Sequence, residues 1–290
     1  MVERNYSGKG ADKSGMEILL GKLDSLKTGE QAAKDLAALG NPAIEPLRRF
    51  LFEGRPAVSF QPRQWAVQAL AALGAKQVLI DYLRWNKDIP DPQTRFAEEA
   101  VEITAARALK AWPSEAVFAA LMELAGSRMQ AGVVETLGEF RREETIPYFI
   151  KALENDLCRR SAEDALAKLG DKAWSALLQS VLTPLPCAEE ESPSSLRRRR
   201  SALNLLARMP IPRKLWRLLR PRLDESDPEL VAAAAKISAK IGTRKDRAAA
   251  SKRLLQVLAL ADAFLQEDIL QILREIKGCV EGRRLRRGSD

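Results

Sequence analysis

Ala37-Ala38-Leu39-Gly40-Asn41-Pro42-Ala43-Ile44-Glu45-Pro46-Leu47 reads as the end of one helix, a tight turn and the start of another. Gly40 suits a left-handed residue closing the first helix. Pro42 and Pro46 fall in the first turn of the second, where a missing N–H costs nothing. On either side lie apolar residues at spacings of three and four, the period of one helix face. Ile44, Leu47 and Leu51 form the stripe that follows.

The pattern recurs. Gly40, Gly74, Pro113, Gly138, Gly170, Pro210 and Gly242 each end a small-residue-rich stripe, at intervals of 34, 39, 25, 32, 40 and 32 residues. Ala66, Ala69, Leu70 and Leu73 precede Gly74, and Ala162, Ala165, Leu166 and Leu169 stand in the same register before Gly170. Two copies carry a polar misfit, Asp35 before Gly40 and Gln130 before Gly138. A period of this length marks a stacked helical array. Each unit buries surface only against its neighbours, so 290 residues need no single large core. No period-2 alternation persists, and no strand is expected.

Two joints interrupt the period, Asn86 to Gln93 and the Pro-, Glu- and Ser-rich stretch Thr183 to Ser195. The expected organisation is a disordered leader over 1–15 and a first sub-array over 16–182. An acidic loop over 183–195, a basic second sub-array over 196–281 and a basic tail over 282–290 follow. The loop coincides with a change in charge. Met1 to Leu182 holds 24 Lys+Arg against 25 Asp+Glu, whereas Thr183 to Asp290 holds 23 against 14. That asymmetry favours an acidic or polyanionic partner for the last third.

Composition excludes more than it suggests. The chain has no histidine, so Ser-His-Asp and Cys-His nucleophilic machinery is excluded, as are His-ligated metal sites. Cys158, Cys187 and Cys279 are few and far apart, which fits a reducing cytoplasm with no disulfide framework and no thiolate metal site. No segment approaches the length of an apolar membrane span, and the N-terminal residues lack a signal-peptide core. No phosphate-cradling glycine loop is present. The expectation is therefore no cofactor, no metal and no membrane.

The stretch Ala37 to Leu47 resembles a HEAT repeat, closest to the bacterial subtype named after phycobilisome lyases. Ala71-Ala72-Leu73-Gly74 and Ala165-Leu166-Ala167-Lys168-Leu169-Gly170-Asp171 are similar. The resemblance covers about Gly29 to Ala261. It implies an all-α, right-handed solenoid of about seven helical pairs that binds partners along the surface of its second helices. Deoxyhypusine hydroxylases share the repeat but need paired His-Glu motifs, which this chain lacks. Bilin lyases share the repeat type, and helical-repeat DNA glycosylases share the architecture. No position here matches the catalytic residues of the glycosylases.

The candidate contact residues are basic. Arg213, Lys214, Arg217 and Arg220 lie on one expected second helix, with Arg213, Arg217 and Arg220 on a stripe opposite Leu215, Leu218 and Leu219. Arg247, Lys252 and Arg253 extend the positive region into the next pair. Arg197, Arg198, Arg199 and Arg200 open a helix, where free backbone N–H groups favour a bound anion. Glu189, Glu190 and Glu191 stand upstream, placed to neutralise or mask that run. Trp112 and Trp174 fall in the apolar register and are expected in the core, with Trp85 exposed. Glu98 and Glu99 are adjacent, so they point apart and are expected on a solvated face.

The function these features favour is a non-catalytic scaffold holding a protein partner, with the basic third recognising an acidic segment. A sequence-tolerant nucleic-acid binder is the alternative. Aromatic residues are not interleaved with the charges, which weakens single-strand recognition. A lyase or chaperone-like role in cofactor attachment is the third reading.

Overall fold

The computed structural model describes residues 8–53, 59–85, 89–187 and 190–287. The chain divides into two compact units, Met1–Phe140 and Arg141–Asp290. Each is a helical-repeat stack, and the fold is all-α, of the solenoid kind.

The first unit contains α1 (Gly8–Leu23), α2 (Gly29–Ala38), α3 (Ile44–Glu53), α4 (Gln61–Ala72), α5 (Lys76–Arg84), α6 (Pro92–Ala108), α7 (Glu115–Ser127) and α8 (Ala131–Phe140). First helices pile on first helices, α2 on α4, α4 on α6 and α6 on α8, while α5 packs on α7. The second unit contains α9 (Ile146–Ala152), α10 (Arg159–Leu169), α11 (Trp174–Leu182), α12 (Pro193–Arg208), α13 (Trp216–Leu219), α14 (Pro228–Ile241), α15 (Arg244–Val257) and α16 (Ala263–Arg287). There α10, α12, α14 and α16 stack in turn, and α9 packs on α11. This is the translational logic that the sequence period requires.

The alanine-leucine stripes form the core. Ala66, Ala69 and Leu70 are buried, as are Ala162, Ala165 and Leu166, and Ala202, Leu205 and Leu206. Small side chains let neighbouring helices approach closely. Gly132 shows the limit, since a Cβ added there would lie 2.5 Å from the Ile103 carbonyl oxygen of α6. The misfit Asp35 is exposed, so it breaks the stripe without entering the core, whereas Gln130 is buried.

The stop residues work in two ways. Gly74 has φ 71°, and the Ala75 N–H bonds the Leu70 carbonyl at 2.9 Å while the Gly74 N–H bonds Ala71 at 3.0 Å. That is a complete Schellman ending. Gly40 instead adopts φ 76°, ψ −153°, a region open essentially to glycine alone and distinct from the left-handed helical cap expected there. Gly138 departs from expectation. It lies buried inside α8, and the positive φ falls on Arg141. Glycine permits a left-handed turn but does not force one.

The joints are shorter than expected. Asp91 caps α6 by accepting from the Thr94 N–H, so Pro92 and Gln93 already belong to the helix. Ser192 caps α12 in the same way, which puts Pro193 to Ser195 in the helix too. Within Thr183 to Ser195, Pro186–Cys187 (β1) pairs antiparallel with Glu190–Glu191 (β2), a two-residue ladder where no strand was expected. The Leu185 N–H donates to Ser195 Oγ at 2.9 Å, which ties the segment to α12 inside the second unit. Helix α1 begins at Gly8, within the stretch read as a leader, and α16 runs to Arg287, within the stretch read as a tail. Residues 1–7 and 288–290 lie outside the described residues.

Candidate partner-binding groove

Helix ends leave carbonyl groups without partners, and this determines what the basic residues of the second unit do. Arg213 Nε donates to the Ile241 carbonyl at 3.0 Å, and Arg247 Nε donates to Ala239 at 3.1 Å. Both satisfy the C-terminal end of α14, where a cation is also favoured by the helix dipole. Arg253 Nε and Nη2 donate to the carbonyls of Leu223 and Glu225 at 3.1 and 2.7 Å. Arg247 is 3% exposed. Its expected place on a contact surface is therefore corrected: the side chain is committed to the α14 terminus and faces no solvent.

The expected helix carrying Arg213, Arg217 and Arg220 is also shorter. Only Trp216–Leu219 is α-helical, flanked by 3-10 turns over Arg213–Leu215 and Arg220–Asp224. The buried residues are Trp216, Leu219 and Leu223, while Leu218 is 48% exposed. The apolar face is thus rotated from the Leu215, Leu218, Leu219 set. Arg213, Lys214, Arg217 and Arg220 still emerge on the exposed side.

A groove of about 290 Å³ opens between this segment and α15, which are the second helices of consecutive pairs. Arg217, Arg220 and Arg253 line it with Asp224, Pro221 and Ala249. The three arginines come from positions that the sequence singled out. Arg220 Nε is held by Asp246 Oδ1 at 3.1 Å. Asp246 in turn closes a capping box with Thr243 at the start of α15. Burial pushes the Asp246 carboxyl up, but the Thr243 hydroxyl and N–H and the Arg220 guanidinium pull harder, leaving it below the ordinary aspartate range. Arg217, Lys214 and Lys252 are exposed and make no ion pair or side-chain hydrogen bond among the described residues. The structure therefore brings Arg217, Arg220 and Arg253 to one groove, with Arg217 uncommitted. The places of Asp224 and Asp246 at the groove were not legible in the sequence, because both depend on the packing of one pair on the next.

The four-arginine run is taken up by neighbouring segments, with Arg198 and Arg199 buried and Arg197 and Arg200 half-buried. Arg197 Nε donates to the Glu154 carbonyl at 3.3 Å. Arg198 Nη1 meets Glu154 Oε1 at 2.8 Å, and its Nη2 donates to Thr183 at 2.7 Å. Arg199 is buried, between Glu191 at 2.5 Å and Glu225 at 2.6 Å. Arg200 pairs with Asp227, and with Glu229 at 2.7 Å. These guanidinium groups join α12 to neighbouring segments and are not gathered around an anion site. Glu191 is the one described member of the acidic trio that folds back on the run. Glu190 is exposed, and Glu189 lies outside the described residues.

The first unit holds a buried polar cluster around Glu98, which was expected with Glu99 on a solvated face. Glu98 is buried and accepts from Arg63 and from the Tyr82 hydroxyl. One turn along α6, Glu102 accepts both contacts of Arg128 Nη1, at 2.7 and 2.6 Å, and one from Gln130 Nε2 at 2.8 Å. Burial and the Glu98 carboxylate push the Tyr82 phenol above its ordinary range, so it stays a donor. A cavity of about 400 Å³ adjoins the cluster, lined by Glu98, Glu99, Arg95, Arg128 and Gln130 among others. Arg63 reaches α6 from α4, and Arg128 reaches it from the end of α7. The buried stripe misfit Gln130 was the sequence signal for the cluster.

Trp65 and Trp216 are the buried tryptophans, while Trp112 and Trp174 are half-buried, against the expectation of core positions for the latter pair. Trp85 is exposed and stacks on Phe52 at 5.3 Å. Among the described residues no three His, Cys, Asp or Glu side chains converge as metal ligands, and no helix is long and apolar enough to cross a membrane.

No family model matches the chain, and no curated protein matches it. Among solved structures, human deoxyhypusine hydroxylase in complex with glycerol is similar at 17% identity and a TM-score of 0.33, over 93% of this chain and 99% of that one. The complex of CpcE and CpcF of phycocyanin lyase from Nostoc sp. PCC7120 is similar at 18% identity and 0.37, over 95% and 99%. A computationally designed self-assembling cyclic homo-oligomer is similar at 16% identity and 0.17, over 96% and 94%. Likenesses at these scores bear on neither activity nor partner, and the fold rests on the helices themselves.

Proposed function

We propose that this protein is a non-catalytic helical-repeat scaffold that holds an acidic segment of a protein partner in the groove between the α13 region and α15. The observation that carries this reading is the convergence of Arg217, Arg220 and Arg253 on one groove, with Arg217 making no ion pair or side-chain hydrogen bond among the described residues. Lys214 and Lys252 add exposed positive charge on the same two segments. Second helices supply both walls, which is where a stacked array presents a continuous concave surface. Asp224 sits among the arginines, so the groove suits a short acidic stretch better than an extended run of phosphates.

Binding of a fluorescent glutamate-rich peptide, followed by anisotropy, tests the reading. Changing Arg217 and Lys252 together to Glu is expected to weaken the complex by more than about tenfold, because like charges then face the peptide. Equal affinity for wild type and variant would remove the groove from consideration. Duplex DNA run in parallel separates the alternative. A log–log salt slope of about −0.9 for each phosphate neutralised, with affinity above that of the peptide, would identify a nucleic-acid binder instead.

A further inference from the structure

We propose that the groove recognises one phosphorylated side chain within its acidic partner, an inference that rests on the binding site just described. All three cations lining the groove are arginines. A guanidinium is a planar fork that meets an oxyanion through two parallel N–H bonds, whereas a lysine offers a point charge. Two of the three forks are fixed before any ligand arrives. Arg220 is held at Nε by Asp246 at 3.1 Å, and Arg253 by two backbone carbonyls at 3.1 and 2.7 Å and by Gln256 Oε1 at 3.1 Å, which leaves one N–H on each Arg253 Nη for a ligand. Such anchoring lowers the cost of ordering them around a ligand. Arg217 is exposed, has no competing ion pair or side-chain hydrogen bond among the described residues, and supplies the third fork.

The carboxylate budget of the groove points the same way. Asp246 offsets Arg220, and Asp224 stands in the wall. A single carboxylate would find a site already partly neutralised. A phosphoryl group brings a charge of about −1.5 to −2 at neutral pH and three acceptor oxygens, enough to engage all three arginines despite Asp224. A volume of about 290 Å³ accommodates one such group with its flanking side chains. Pro221, Leu223 and Ala249 give the rest of the lining an apolar surface for the aliphatic part of the modified residue. A nucleic acid would need charges that track successive phosphates, and Asp224 interrupts that track.

The test uses the full chain and two peptides of equal length, identical except for phosphoserine or serine at the centre of a glutamate-flanked sequence. The phosphopeptide is expected to bind about tenfold more tightly at pH 7.5. That margin should narrow at pH 5, below the second phosphate pKa of about 6. Arg217→Lys keeps the charge and loses the fork, so it should weaken the phosphopeptide more than the serine peptide and abolish most of the margin between them. Arg217 makes no ion pair or side-chain hydrogen bond among the described residues, so the variant reports recognition. Equal affinities for the two peptides would overturn the phosphoryl inference and leave the acidic-segment reading intact. Binding of neither peptide would overturn both. Tighter binding of a DNA duplex than of the phosphopeptide would assign the groove to a nucleic-acid backbone and overturn the inference.

Discussion

Asp246 shows how one side chain can serve the fold and the groove together. Its carboxylate accepts from the Thr243 N–H at 2.9 Å and hydroxyl at 2.7 Å, which starts α15. It also holds Arg220 toward the groove. Because its folded-state pKa lies below the unfolded value, the stabilisation it gives is complete above an unfolded pKa of about 3.9. That stabilisation is lost as pH falls through the lower folded value. Asp246→Asn should therefore cost about 1 kcal/mol at pH 7 and less at pH 2. Urea denaturation at the two pH values checks this. An equal penalty at both would mean that the charge contributes nothing. Glu98 and Glu102 belong to the same scale. Two carboxylates one turn apart in a core are tolerable because Arg63 and Arg128 each bring a charge to them. A buried pair of this kind sets register more than it adds stability.

At the scale of elements, most of the architecture was legible in the sequence. The first three positions of the stripes before Gly74, Gly170, Pro210 and Gly242 are buried as expected, while the last of them, Leu73, Met209 and Ile241, is half-buried in all but the Gly170 copy. Glycine and proline mark the ends of those helices because both act through local backbone geometry, which the sequence states directly. The α13 region was misread for the opposite reason. Its four-residue helix and two 3-10 turns are set by how Trp216, Leu219 and Leu223 fill the gap beneath α14 and α15, a tertiary effect. The groove was half legible: its arginines could be named, but not which of them would be spent on carbonyls. Orphan carbonyls become visible only once helix ends are in place. Gly132 supplies a test of close helix approach. Gly132→Ala would drive a methyl into the Ile103 backbone of α6 and should cost about 1–3 kcal/mol. Thermal unfolding measures it. A neutral result would show that α8 can shift away without loss.

At the scale of the molecule, the groove, its anchors and its charge lie wholly in the second unit. A fragment spanning 141–290 should therefore be helical by circular dichroism and bind the acidic peptide within about threefold of the full chain. Loss of binding by a folded fragment would show that the first unit contributes to the site. The basic balance of the last third overstates what a partner meets, because Arg197, Arg198, Arg199 and Arg200 act as rivets between segments. Arg198 and Arg199, sheltered from solvent, feel ionic strength little, whereas Arg217 and Lys252, standing in water, feel it fully. A rise in salt would thus unload the cargo and spare the frame that carried it.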